Sequence, residues 1–108
     1  MKLTTLISYL TNSDKLIDLY QELELNSESE ALIIYLQKSL DIDSEIAIFE
    51  IEETEDDLVF KKDGIQYIQL FPLEYAMELI ESDLNLKNSG HSNKEIAERL
   101  LEYRIKDA

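Results

Sequence analysis

Cysteine and tryptophan are absent from this sequence, and it contains only two glycines and one proline. Without cysteine the chain can form neither a disulfide nor a thiolate nucleophile, which favours a cytoplasmic location. So little glycine and proline leaves no room for a flexible linker or a low-complexity tract. No apolar run approaches the roughly 20 residues that a membrane-spanning helix needs. We therefore expect a cytoplasmic protein that does not contact a membrane.

Basic residues are also scarce. Ten lysines and arginines face 24 acidic residues, which gives a net charge of −14. The imbalance is concentrated in residues 18–57, where fourteen acids accompany Lys38 as the one base. Such a field repels nucleic acid and attracts cationic proteins, so we expect no nucleic-acid partner. The alternative is that the acidic surface serves solubility alone.

The length of 108 residues, 44% of them hydrophobic, predicts a single domain over residues 1–108. Apolar residues recur at helical spacing over residues 2–24 and predict either one bent helix or two short helices. The first set is Leu3, Leu6, Ile7 and Leu10, and the second is Leu16, Ile17, Tyr20 and Leu23. A further helix is predicted in NSESEALIIYLQKSL, residues 26–40, because Ser27 and Glu30 have the spacing of a capping box. Its apolar positions fit one buried face: Leu32, Tyr35, Leu36 and Leu40.

Between residues 45 and 71 the apolar pattern changes to a period near two, which predicts β-strands over residues 45–53 and 58–71. Asp63-Gly64 is the dipeptide that a type I′ hairpin turn prefers. The resulting pairs are Lys62 with Ile65, Phe60 with Tyr67, and Leu58 with Gln69. We expect a three-stranded antiparallel β-meander with apolar residues on both faces. Either helices cover both faces or one face contacts a partner.

Two C-terminal helices complete the predicted α+β fold of N-terminal helices, β-meander and two helices. Pro72 suits the first turn of the first of these two helices. The apolar stripe of that helix is Leu73, Ala76, Met77, Ile80 and Leu84. A stop signal at residues 88–90 separates it from the last helix, which Ser92 and Glu95 open as a capping box. Three residues of the last helix are expected to face inward: Ile96, Leu100 and Leu101.

The start of that last helix, GHSNKEIAERL at residues 90–100, resembles the first helix of a LuxR-type helix-turn-helix. In that family a similar Ser-Asn-Lys-Glu-Ile-Ala segment leads to a turn and a base-reading recognition helix. Here only LEYRIKDA follows, and the net charge opposes contact with phosphates. Capping by Ser92 and Glu95 and packing by Ile96 and Ala97 explain the shared residues. We therefore expect no sequence-specific DNA binding.

Metal-binding and catalytic motifs are poorly matched. Four acids occupy EF-hand positions 1, 3, 5 and 12: Asp41, Asp43, Glu45 and Glu52. The glycine that an EF-hand needs at position 6 is Ile46 here. His91 is the one imidazole and sits beside a helix cap, and no phosphate-binding loop or Ser–His–acid arrangement is present. We expect no metal, no cofactor and no enzyme; an enzyme using carboxylates and Mg²⁺ is kept as an alternative.

The densest acidic stretch is FEIEETEDDLVF, residues 49–60. It contains six carboxylates without a base: Glu50, Glu52, Glu53, Glu55, Asp56 and Asp57. The stretch fits a metal site, a surface for a cationic partner or a solvated turn. We interpret it as a strand end and turn, with Phe49 and Ile51 in the core and the carboxylates outward. On a strand, Glu50 and Glu52 would lie about 6–7 Å apart, which is similar to the spacing of phosphates in nucleic acid.

The functional hypothesis is a non-enzymatic acidic domain that neutralises a basic protein, either a toxin (an immunity protein) or a nucleic-acid-binding protein (a nucleic-acid mimic). The six carboxylates would form the binding surface. Tyr75 joins them as an expected interface anchor, because it lies off its helix's apolar stripe; partial burial against a neighbouring helix is the alternative. A second hypothesis is a structural or adaptor domain that binds a partner, or forms a homodimer, through an apolar sheet face.

Overall fold

The computed structural model describes residues 1–83 and 90–107, and within them it shows five α-helices and four β-strands. The helices are α1 (Leu3–Leu10), α2 (Leu16–Glu22), α3 (Ile51–Thr54), α4 (Leu73–Glu78) and α5 (Asn93–Asp107). The strands are β1 (Leu32–Gln37), β2 (Ile46–Glu50), β3 (Val59–Lys62) and β4 (Ile65–Pro72). A 3₁₀ turn precedes α2, and a π-type turn extends α4. The predicted α+β class is confirmed, and the N-terminal segment forms two short helices.

The four strands form one antiparallel sheet in the order β2-β1-β4-β3. The predicted meander is therefore wrong, because β2 pairs with β1 and lies at the opposite edge of the sheet from β3. Leu32 of β1 is paired with Glu50, and Leu36 with Ile46. Two strands, β1 and β4, thus lie between β2 and β3, and β1 comes from residues before β2 in the chain.

That strand, β1, was expected to be a helix, and the prediction for residues 26–40 is wrong. Residues 32–36 are all buried, because the helices cover one face of this inner strand and the aromatic side of the sheet covers the other. A strand buried on both faces shows a continuous apolar run, which periodicity alone cannot distinguish from a buried helix. Ser27 and Glu30 consequently cap no helix; they lie in the turn before β1.

The predicted hairpin is confirmed. Asp63 and Gly64 both have positive φ, 54° and 80°, as a type I′ turn requires. Lys62 is paired with Ile65 and Phe60 with Tyr67. The register continues beyond the strand, where the Gln69 N–H donates to the Leu58 carbonyl at 2.9 Å.

A β-bulge in β4 divides its side chains between the two faces of the sheet. Tyr35 is opposite Gln69 and the preceding Ile34 is opposite Phe71, so Leu70 is the extra residue. Leu70 and Phe71 both join the core under the helices, whereas Tyr67 packs on the other face. The bulge thereby turns the end of β4 towards the helices.

The helix-covered face of the sheet, which we call the aliphatic face, is mainly aliphatic and also contains Phe71. The four predicted positions of α1 are all buried there: Leu3, Leu6, Ile7 and Leu10. In α2, by contrast, Leu19 is buried while the predicted Ile17 is 67% exposed. From α5, the expected Ile96, Leu100 and Leu101 are buried together with Ala97. Except for Leu101, these residues belong to the segment that resembles a helix-turn-helix, and their side chains pack in the core.

The other face, which we call the aromatic face, consists of Ile33, Tyr35, Phe49, Phe60 and Tyr67. Phe49 and Phe60 come from the two opposite edge strands, yet their ring centroids are only 5.2 Å apart. Phe49 also makes edge-to-face contacts with Tyr35 and Tyr67. The sheet therefore curls until its edges meet. The rings of the sheet itself, together with Ile51, fill the face that we expected either helices or a partner to cover.

The C-terminal helices begin as predicted. Pro72 ends β4 and immediately precedes α4, whose Leu73 and Ala76 are buried. Ser92 and Glu95 form a reciprocal capping box: the Glu95 N–H donates to Ser92 Oγ and the Ser92 N–H to Glu95 Oε1, both at 3.2 Å. The predicted Leu84 and the stop signal at Asn88 lie outside the described residues. Among the described helices, none has the length and apolar character needed to cross a bilayer.

Candidate functional site

The acidic segment, defined as residues 50–57, does not continue β2. The strand ends at Glu50, opposite Leu32 at the start of β1, and the chain then turns into the single-turn helix α3. Glu55 and Asp56 follow with left-handed φ values of 55° and 61°. The prediction of a strand as far as residue 53 is therefore wrong, because β1 offers no partner beyond this point. The strand spacing predicted for Glu50 and Glu52 does not apply, since Glu52 lies in α3.

Two buried polar side chains fix the backbone of the acidic segment. The Tyr35 hydroxyl donates to the Asp57 carbonyl at 2.6 Å. The Gln69 amide nitrogen lies 3.0 Å from Asp56 Oδ1 and 3.3 Å from the carbonyl oxygens of Asp56 and Asp57. Tyr35 is fully buried and Gln69 nearly so. The sequence did not reveal either residue as part of the site, because both act across 12 to 22 residues of chain.

The side chains of the segment have few cationic partners. Glu50 accepts from Asn26 at 2.8 Å, and Glu52 accepts from the Ser29 hydroxyl at 2.6 Å. Glu53 forms a 2.5 Å ion pair with Lys62, whose pKa this hydrogen bond raises. Within residues 1–83 and 90–107, Glu53 is the one member of the segment with such a pair.

Five of the six predicted carboxylates are exposed, and Glu50 is half-buried. The exposed ones are Glu52, Glu53, Glu55, Asp56 and Asp57. Phe49 and Ile51 pack against the aromatic face, so the expected division between inward apolar and outward acidic residues is confirmed. The segment thus presents a dense negative charge on a fixed backbone.

Tyr75, the remaining predicted site residue, is half-buried. Its ring contacts Phe71 edge-to-face at 5.4 Å between centroids, and its hydroxyl lies 3.1 Å from that of Tyr103 on α5. It also lines an open groove of about 320 Å³, which we call the Leu58 groove. Leu58 lines the same groove, is 62% exposed and directly follows the acidic segment. Tyr75 therefore shares one groove with Leu58, the residue that follows the acidic segment, and Arg104 also lines this groove.

The acids that fit an EF-hand in sequence are separated in space. Glu45 forms a 2.5 Å ion pair with the amino group of Met1, whereas Glu52 contacts Ser29. The Asp43 N–H donates to Asp41 Oδ1 at 2.8 Å, which closes a local turn. In the described part of the chain, no group of three or more acidic or histidine side chains is arranged to hold a metal ion.

His91 lies at the start of α5, apart from the acidic segment. Its Nδ1 is 3.4 Å from Glu95 Oε2. Hydrogen bonds to Glu95, first from the Ser92 backbone N–H and then from His91, lower the pKa of the Glu95 carboxyl. The position of His91 thus supports the cap at the start of α5.

The chain matches no protein-family model, no curated protein and no solved structure at a significant level. Similarity therefore transfers no function to it, and a function has to be argued from the chemistry of the surface itself.

Proposed function

We propose that this protein is a non-enzymatic acidic interaction domain that captures a basic protein and neutralises it, as toxin-immunity proteins and nucleic-acid mimics do. The observation that carries the proposal is that Leu58, which directly follows the exposed carboxylates of the acidic segment, lines one groove with Tyr75. Protein interfaces typically combine an apolar, aromatic centre with a polar rim. A mainly apolar groove, which Arg104 also lines, and five exposed carboxylates just before Leu58 in the chain have this composition.

The fixed backbone of the acidic segment supports binding over solubility as its role. Each group that is already ordered before binding lowers the entropic cost of association. Tyr35 and Gln69 order the segment from below, and Glu55 and Asp56 hold left-handed conformations that non-glycine residues seldom adopt. Acidic residues that served solubility alone would need no such anchoring.

The charge of the segment defines the chemistry of the partner. Exposed carboxylates attract a basic surface at long range, and this attraction is screened by salt. The basic partner would be a toxin or a nucleic-acid-binding protein that the domain meets in the cytoplasm. The sign of the charge and the Leu58 groove support this proposal; the phosphate-like spacing of Glu50 and Glu52 does not.

The proposal is tested with a charge-neutral variant of the segment: Glu52→Gln, Glu55→Gln and Asp56→Asn. Amides keep the acceptor oxygens for Ser29 and Gln69 but remove the charge. The matched control, Asp41→Asn, Glu98→Gln and Glu102→Gln, removes three charges around another groove, beside the loop at the opposite end of β1 and β2. Both are used to capture partners from native lysate of the source cells at low and high salt.

We expect the wild type and the control to retain a basic partner at low salt and release it at high salt. The acidic-segment variant should capture much less of it. Equal capture of the partner by the variant and the wild type at low salt would contradict the proposal, because attraction between exposed charges is largest there.

The adaptor hypothesis makes a prediction that differs from that of the capture hypothesis. It needs an exposed apolar sheet face, whereas the rings of Phe49 and Phe60 meet across the aromatic face. Sedimentation of the purified chain separates the hypotheses: a dimer insensitive to salt supports the adaptor, and a salt-sensitive complex with a basic protein supports capture.

A further inference from the structure

A second apolar surface lies on α2. Leu19 is fully buried in the aliphatic core, whereas Ile17 is 67% exposed. At 3.6 residues per turn these two side chains point about 160° apart around the helix. Leu16 and Tyr20 lie between them and are half-buried. The apolar arc of α2 is therefore wider than contact with its own core requires.

This outward arc lines an open groove of about 560 Å³, which we call the α2 groove. Its walls are formed by α2 and by the chain that follows it: Leu16, Ile17, Tyr20, Gln21, Leu25 and Ser27. Ile17, Tyr20 and Gln21 are spaced i, i+3 and i+4, so they form a ridge of the kind that packs against another helix. The groove is open and is lined mainly by apolar side chains.

The surroundings of the α2 groove are acidic. Residues 14–28 contain five acids against Lys15, a net charge of −4. All five acids are exposed: Asp14, Asp18, Glu22, Glu24 and Glu28. A second copy of this chain would bring the same negative rim, and like charges across an interface oppose association. Charge complementarity instead selects a cationic occupant.

We infer that the α2 groove binds an amphipathic helix of a partner protein, with aliphatic residues on one face and lysine or arginine on the flanks. This is helix-in-groove recognition, in which residues at i, i+3, i+4 and i+7 of the bound helix act as anchors. The seven residues of α2 span about 10 Å, which matches roughly two turns of a bound helix. The inference rests on the proposed function for the basic character of the partner but uses a different surface.

A third depression links the α2 groove with the Leu58 groove. Tyr20 and Ser27 of the α2 groove also line this depression, and Pro72 lines both the depression and the Leu58 groove. A partner that spans the depression would therefore contact both grooves.

The test uses a synthetic helical peptide of leucine and lysine with leucines at i, i+3, i+4 and i+7, and a scrambled peptide of equal composition. Affinities for the full chain are measured by fluorescence anisotropy at physiological salt. Ile17→Ser should weaken binding of the amphipathic peptide roughly tenfold, as loss of an interface anchor does. The matched control is Ile105→Ser, which alters an isoleucine that is 60% exposed on α5; it should leave the affinity unchanged.

Three results would overturn the inference. These are equal affinity for the scrambled peptide, equal effects of the two isoleucine variants, and a wild-type homodimer that Ile17→Ser dissociates. The first would show attraction by charge alone, the second would show binding that does not depend on the α2 groove, and the third would make a second copy the occupant.

The charge-neutral variant of the acidic segment separates this inference from the proposed function. If that variant captures the basic partner as well as the wild type while Ile17→Ser still loses the peptide, the proposed function fails and the α2 groove stands. If Ile17→Ser retains the peptide while the charge-neutral variant loses the partner, the groove assignment fails and the proposed function stands.

Discussion

The two faces of the sheet are built from different chemistry. On β1, Leu36 enters the aliphatic core under the helices, while the adjacent Tyr35 enters the aromatic face. The aliphatic face is held by apolar burial, which has no directional requirement. The aromatic face adds hydrogen bonds from Tyr35 and Gln69 to the acidic segment. We infer from this difference that one face mainly stabilises the fold, whereas the other also positions the candidate site.

The largest effect is expected on the aliphatic face. Leu36 is fully buried there, so Leu36→Ala should lower the free energy of unfolding by about 2–5 kcal/mol through lost burial and a cavity. Denaturant titration followed by circular dichroism measures this change. A loss well below 1 kcal/mol would mean that the aliphatic face does not dominate stability.

On the aromatic face, Tyr35→Phe should lower the free energy of unfolding by less than Leu36→Ala does, and its effect should be local. It removes the hydrogen bond to the Asp57 carbonyl and keeps the ring, so we expect a loss of about 1 kcal/mol. Amide hydrogen exchange should accelerate most at Glu55 and Asp57, whose N–H groups bond to Ile51 and Thr54. Equal acceleration at Ile34 and at these two amides would show that Tyr35 does not specifically hold the acidic segment.

The helix-covered face also depends on the capping box that starts α5. Ser92→Ala should lower the free energy of unfolding by about 1 kcal/mol, as loss of an N-cap hydroxyl typically does.

The Glu95 carboxyl of the same capping box makes stability depend on pH. The folded state lowers the pKa of Glu95 below its ordinary value of 4.5, so the contribution of Glu95 to stability is complete above that pH. It is lost as the pH falls through the lower, folded-state pKa. Unfolding measured between neutral and acid pH should show a shallower decline in Glu95→Gln; an unchanged decline would contradict this.

A gain in stability, rather than a loss, is expected where the acidic segment contains a buried polar group. The hydroxyl of Thr54 in α3 is buried and has no hydrogen-bond partner among the described residues. Thr54→Val has a similar shape and removes this group, so it should raise the free energy of unfolding by about 1 kcal/mol. Thermal unfolding measures the gain, with Thr54→Ser, which retains the hydroxyl, as the control. Destabilisation by Thr54→Val would indicate that the hydroxyl is satisfied in solution.

Local signals explain which parts of the fold were predictable. The Asp63-Gly64 turn and the Ser92–Glu95 capping box depend on residues within a few positions of each other, and both are confirmed. Leu32 to Leu36 were assigned to a helix because burial on both faces of a strand removes the alternation that distinguishes it. The meander was wrong for the same reason, since the missing strand β1 is the partner of β2.

For the candidate site, the acidic side chains could be identified from their density in the sequence, but their setting could not. The Tyr35 and Gln69 anchors and the Leu58 groove depend on contacts between distant segments. Tyr75 was predicted as an anchor from its position on the helix. Its place in one groove with Leu58 depends on where β3 begins relative to α4.

The sequence by itself determined the net charge, the inward placement of Phe49 and Ile51 and the outward placement of the carboxylates of residues 52–57, the hairpin and the start of α5. These properties arise from composition and from contacts between near neighbours in the chain. The tertiary structure alone decided that β1 separates β2 from β4, that the sheet curls until Phe49 meets Phe60, and that Leu58 and Tyr75 line one groove. Those features depend on pairing and burial between segments far apart in sequence, which no local pattern encodes.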